Sequence, residues 1–230
     1  MNKSSWPMVQ DGSPDRLFEG FTWEETQAVV EFLDGHVIQF ERGEHIGKAV
    51  SVHMPHTLAY LLSGGAFMAK YDAQGNQSIL DIVTPGYLIS YCDGRSNSDI
   101  HNLDTVVTAT AEVLCLDIGR LWLGEDEAMG TLLTKFSRNV ACLLAERNQR
   151  LLEKLDIISG HTLREKVLAF LNAQRRSYRR DTFDIPLNRQ EIADYLYTNR
   201  SALSRELSLL REQGLVEFHK SHFTLLFPAE

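Results

Sequence analysis

The chain has 230 residues, 43% of them hydrophobic and 23% charged, and a net charge of −8, proportions of an ordinary globular protein of one or two domains. No apolar run approaches the roughly 18 residues that cross a bilayer, and the start MNKSSWPMVQDGSP lacks the apolar core of a signal peptide. Three scattered cysteines, Cys92, Cys115 and Cys142, argue against a disulfide framework, so a cytoplasmic protein with no membrane partner is expected.

Residues 1–15, with Pro7, Gly12, Ser13 and Pro14 and no periodicity, read as an unstructured arm. Thr22 opens a short helix to Leu33, with Glu25 three residues on in the capping-box position and Val29, Phe32 and Leu33 as its apolar face. The period then changes to two. Val37 to Phe40, Thr57 to Leu62, Ala66 to Tyr71, Ser78 to Val83 and Thr105 to Ile118 are strands by pattern, separated by turn signals at Gly43, Gly64-Gly65, Asp72 to Gly75 and Pro85-Gly86. Short strands at this spacing suggest a sandwich or small barrel over residues 16–123.

Residues 124–158 read as one long helix. Met129, Leu133, Phe136, Val140 and Leu143 recur at alternating four and three, and the stripe resumes after Arg147 at Leu151, Leu155 and Ile158. Its flanks, Lys135, Arg138, Glu146, Arg150, Glu153 and Lys154, are charged, which predicts the seam of a homodimer rather than a core helix of one chain. Ser159-Gly160 breaks the helix as a hinge. Thr162, with Glu165 three residues on, caps the next helix, and a basic stretch from Arg175 to Arg180 leads into residues 188–214.

That last stretch, NRQEIADYLYTNRSALSRELSLLREQG, predicts two short helices around a tight turn. Asn188 and Glu191 form a capping box, Ile192, Ala193 and Leu196 face inward, and Thr198 or Asn199 caps the second helix. There Leu203, Leu207 and Leu210 make the buried stripe, which leaves Arg200, Ser201, Ser204 and Arg205 on the solvated side, until Gly214 ends the helix. Guanidinium groups on the first turns of a supported helix are what reading a major groove requires, since each can donate two hydrogen bonds to a guanine edge. LVEFHKSHFTLLF then alternates around Lys220 and Ser221, a hairpin or wing beside the reader. The overall acidity does not oppose this reading: residues 159–230 carry 11 Lys and Arg against 9 Asp and Glu, whereas the preceding 158 carry 12 against 22.

This order of parts resembles the Crp/Fnr family of bacterial transcription regulators. The carriers are FERGEHI (40–46), LLSGGAFMAKYDAQGNQSILDIVTPGYLI (61–89) and LNRQEIADYLYTNRSALSREL (187–207). The resemblance implies an α+β chain: a β-roll (double-stranded β-helix or jelly roll) sensor at 16–123, a dimerisation helix at 124–158 and a winged helix-turn-helix at 159–230. It implies base or phosphate contacts from Arg200, Ser201, Ser204 and Arg205, joined by Arg189 and Asn199, on an inverted-repeat operator in double-stranded DNA, with RNA polymerase as a further partner and no enzymatic activity. A glutamate common in the family at the Ser201 position is missing, so neither the catabolite-activator nor the oxygen-sensor operator is expected.

The effector departs from the family's cyclic-AMP-binding members. Their phosphate-binding Arg-Ser or Arg-Thr pair falls here at His101-Asn102, and no arginine lies between Arg95 and Arg120. Three cysteines are too few for a four-thiolate iron–sulfur cluster, while eight histidines leave haem open. The expectation is an unidentified, uncharged or weakly anionic organic effector beside Tyr87, Ser90, Tyr91, Cys92, His101, Asn102, Phe136, Val140 and Arg147. Two other classes compete: a cupin-like metalloenzyme built on Glu44, His45, His53 and His56, and an interaction module that binds no DNA. The His-x-x-His spacing of the metal set does not suit two ligands on one strand, where side chains alternate faces.

Overall fold

The computed structural model describes residues 16–47, 56–92, 103–122 and 127–228; the expected arm at 1–15 and the first three residues of the expected long helix lie outside them. Packing divides the chain into two compact units, Met1–Met68 with Val83–Asn148, and Ala69–Ile82 with Gln149–Glu230.

In the first unit a 3-10 turn at Arg16–Phe18 precedes helix α1, Trp23–Phe32. The predicted capping box forms: Thr22 Oγ1 accepts from the Glu25 amide at 3.2 Å, and the Glu25 carboxylate accepts from the Thr22 amide at 2.9 Å. Strands β1 (His36–Phe40), β2 (His56–Tyr71), β3 (Gln77–Val83), β4 (Leu88–Cys92) and β5 (Leu103–Asp117) form one sheet in the order β1-β5-β2-β3, with β4 paired to His56–Tyr60 of β2. The fold is α+β, with this N-terminal β-roll followed by helices.

Two expectations about this sheet are corrected. Gly64-Gly65 is not a turn between strands, because β2 runs through it as a single 16-residue strand. Gly64 takes φ +86°, and a Cβ there would meet the Thr110 carbonyl at 2.3 Å and Ala111 Cα at 2.7 Å, so the glycine admits a close backbone crossing rather than a reversal. The stretch Leu88–Cys92, read only as a source of effector contacts, is itself a strand.

Helix α2 spans Glu127–Ser159. Leu133, Phe136 and Leu143 are buried in one chain's core with Leu17, Phe18, Val29, Leu33, Leu58 and Tyr60, and Met129 and Val140 pack against the same cluster. The predicted dimer seam of Met129, Leu133, Phe136, Val140 and Leu143 is therefore the inner face of the β-roll unit. An apolar stripe one residue out of phase faces solvent instead: Ala141, Leu144, Leu151 and Leu155 are exposed, the last at 56%. Of the expected seam residues Leu151 and Leu155 belong to it. Lys154, read as a charged flank, is also buried, at 4% exposure.

The second unit contains α3 (Leu163–Tyr178), β6 (Thr182–Asp184), α4 (Arg189–Tyr195), α5 (Arg200–Glu212), β7 (Val216–His219) and β8 (His222–Leu225). The small sheet has the order β6-β8-β7, and β7 and β8 pair from His219↔His222 outward around the predicted Lys220-Ser221 turn. Val167, Phe170, Leu171, Ile192, Leu203, Leu207, Leu210, Val216 and Phe223 are buried in this unit.

Candidate DNA interface and effector residues

The reader is built from its caps inward. Asn188 Oδ1 accepts from the amides of Gln190 at 2.9 Å and Glu191 at 3.0 Å, and the Glu191 carboxylate accepts from the Asn188 amide at 2.5 Å. Helix α4 thus starts where Ile192 and the small Ala193 face inward, and Ala193 is fully buried. After Leu196 the chain turns through Tyr197 at φ +51°, and the Thr198 amide donates to the Ala193 carbonyl at 3.0 Å. Asn199, not Thr198, caps α5: its Oδ1 accepts from the Ala202 amide and from the Ser201 hydroxyl, each at 2.7 Å. Gly214, at φ +68°, follows the last turn.

Burial of Leu203, Leu207 and Leu210 decides which face α5 shows to solvent. Arg200 is its first residue, Ser201 and Arg205 are exposed, and Ser204 is half-buried. Five residues of a 3.6-residue helix place Arg205 about 140° around from Arg200, so the two guanidinium groups flank one strip.

Arg189, expected among the DNA contacts, is held against the wing: its Nη2 donates to the Lys220 carbonyl at 3.1 Å, and its guanidinium lies 5.0 Å and 5.5 Å from the ring centroids of Phe218 and Phe223. Burial first, then the neighbouring Arg200 charge, lowers its pKa from the ordinary arginine value. Aromatic faces attract a guanidinium that has left water, and so fix the hairpin to the start of α4. The sequence carried this signal only in the phenylalanines of the wing.

The effector candidates are only partly brought together. Tyr87 is 3% exposed, and the Arg147 guanidinium lies 6.0 Å from its ring centroid and 3.4 Å from Met68 Sδ. Phe136 is fully buried in the β-roll core, and the partly buried Val140 packs against the same cluster. Ser90, Tyr91 and Cys92 lie on β4, with side chains outside the description; His101 and Asn102 lie outside the described residues. Of the imagined metal set, His53 also lies outside them. His45 Nδ1 sits 2.6 Å from Asp104 Oδ2, and among the described residues no group of three or more His, Cys, Asp or Glu is placed to hold a metal. Among them, too, no helix is long and apolar enough to cross a membrane.

Residues 165–230 match the family model of the Crp-like helix-turn-helix domain. Among solved structures the chain resembles FixK2 from Bradyrhizobium japonicum, at 19% identity over 84% of this chain and 93% of that one, with a TM-score of 0.64. It also resembles the c-di-GMP responsive global regulator CLP of Xanthomonas campestris, at 14% identity over 89% and 98%, with a TM-score of 0.68. A CooA mutant from Carboxydothermus hydrogenoformans aligns at 16% identity over 85% of each chain, with a TM-score of 0.65. At such identities the likeness is one of fold. No curated protein matches in sequence. The matched domain family is one of DNA-binding regulators, not of enzymes. The C-terminal domain is thus a Crp-like helix-turn-helix domain, carried on a chain with the fold of the Crp/Fnr transcription regulators.

Proposed function

We propose that the chain is a cytoplasmic, sequence-specific transcription regulator that binds an inverted repeat as a homodimer and is switched by a small organic effector other than cyclic AMP. The observation that carries the reading is α5 itself: a capped helix, seated on three buried leucines, that holds Arg200, Ser201 and Arg205 in solvent on its first two turns. One arginine can read a guanine bidentately while the other takes an adjacent base or phosphate. Two copies would set their helices about 34 Å apart, so half-sites should be centred about 10 base pairs apart. RNA polymerase is the further partner that regulation of transcription requires.

Selection on randomised duplexes with wild type, Arg200→Ala and Arg205→Ala tests the assignment. Loss of a base-reading arginine should cost about 1–3 kcal/mol at the selected site and relax one base pair; loss of a phosphate contact should weaken all sequences alike. An enriched site without two-fold symmetry, or base preference unchanged in both variants, would falsify α5 as the reader.

The effector reading rests on the absence of an arginine between Arg95 and Arg120, which leaves a cyclic phosphate without its usual charge partner. Calorimetric titration with cyclic AMP and cyclic GMP should give no heat of specific binding. Micromolar affinity for either nucleotide would overturn this part.

A further inference from the structure

The second compact unit includes a piece of the β-roll, the hairpin of residues 69–82, and a buried cation stands against it. Lys154, on the C-terminal half of α2, is 4% exposed. Its Nζ donates to the Ile79 carbonyl on β3 and lies 3.7 Å from the ring centroid of Tyr195 and 5.2 Å from that of Tyr197. One amine thus touches a strand of the hairpin, the end of α4 and the turn into α5. A short distance along the same hairpin, Gln77 and Ser78 line a cavity of about 500 Å³ with Asp194, Tyr197, Thr198 and Asn199, the cap of the reading helix.

We propose that Lys154 is a latch that clamps the β2–β3 hairpin onto the turn of the helix-turn-helix and holds α5 back from duplex DNA until the hairpin lifts. The inference rests on the reading of α5 as the DNA-reading helix. A duplex that takes the first turn of α5 into its groove brings phosphates beside that turn, where the hairpin now stands. The hairpin carries Asp72 and Asp81 against one cation, Lys70. The side chain and amide of Asn76, with further amides of the tip, keep the Asp72 carboxyl below its ordinary range and so ionised. The closed hairpin therefore adds negative charge to the segment whose Gln77 and Ser78 stand beside the cap of α5.

The latch is also sensitive to pH. Burial lowers the Lys154 pKa to about 7 against the opposing pull of Asp81. The other groups facing it are Tyr195, whose pKa is raised by burial and then by Asp81 and Glu153, the ring of Tyr197, and Glu153 on its own helix, which pairs with Arg176 at 2.5 Å. An opened latch returns Lys154 to the ordinary value of 10.5. The open form then holds more protons between those two values, and closure strengthens as pH rises through that window.

Hydrogen exchange on the full chain, corrected for intrinsic rates, tests the latch without DNA: the opening equilibrium of amides 77–82 should fall roughly tenfold between about pH 7 and 8.5. In Lys154→Met, which keeps the apolar stem, that pH dependence should vanish. If it persists, the titrating group lies elsewhere and the latch is wrong. With the selected duplex bound, the same amides should lose protection, and Lys154→Glu, which sets a carboxylate beside Asp81, should bind the duplex more tightly than wild type. A bound duplex that leaves the hairpin protected overturns the proposal. If no duplex is bound at all, the DNA reading fails, and the exchange measurement alone decides the latch.

Discussion

Replacing both Leu151 and Leu155 by aspartate should convert a dimer into monomers on a sizing column and weaken binding to the inverted repeat by about 100-fold or more. The two leucines are 36% and 56% exposed on α2, seven- and eleven-residue steps beyond the exposed Leu144. Such spacing keeps them on one narrow stripe, as the seam of a two-stranded coiled coil requires. Two aspartates in each helix would bring four carboxylates to one interface, where neither desolvation nor mutual repulsion is compensated. A monomer holds one half-site and loses the effective concentration that the second half-site supplies once the first is bound. A variant that still elutes as a dimer would place the contact on another surface.

Phe136→Ala should act on the other side of the same helix and produce the opposite pattern. Phe136 is fully buried, and its ring centroid lies 5.8 Å from that of Phe18. Emptying such a site removes the transfer free energy of a phenyl ring and leaves a cavity, at a cost of about 3–5 kcal/mol. The unfolding transition of the β-roll unit should drop by roughly 10 °C, while the dimer, tested at a temperature where the variant is folded, keeps its concentration dependence. Loss of the dimer with no loss of stability would return Phe136 to the seam.

The contrast between these variants explains why the long helix was misread. Its sequence carries two apolar stripes offset by one residue, or 100°, and periodicity alone does not say which of them a β-roll will cover. Charged flanks point to the heavier stripe, Leu133, Phe136 and Leu143, as the seam, yet large side chains are what a core needs. A signal was present in the spacing. From Leu143 to Leu151 is eight residues, which breaks a heptad, whereas from Leu144 to Leu151 is seven.

Local chemistry was read more securely than long-range packing. Thr22 with Glu25, Thr162 with Glu165 and Asn188 with Glu191 all form capping boxes, since each motif needs only a few neighbouring residues. The Lys220-Ser221 turn and the three leucines of α5 likewise follow from period and turn chemistry. Gly64 was misjudged because consecutive glycines permit both a reversal and a close crossing, and only the Thr110 carbonyl, 46 positions away, decides between them. The place of Arg189 against the wing is not legible from its own neighbours, because the rings that hold it come from a hairpin some thirty residues later. Lys154 was read as a solvated flank for the same reason, since its partners lie on β3 and at the end of α4.

The place of Arg189 has a thermodynamic consequence for Arg200. The two cations are close enough for Arg200 to lower the pKa of Arg189, and Arg189 is fixed to the wing while Arg200 stands free in solvent. Their repulsion adds to the penalty that burial already places on the Arg189 charge. If α5 reads DNA as proposed, a phosphate arriving at Arg200 would relieve that repulsion, so part of the affinity for nucleic acid would come from the relief of a conflict within the protein, and binding would also make the domain harder to melt.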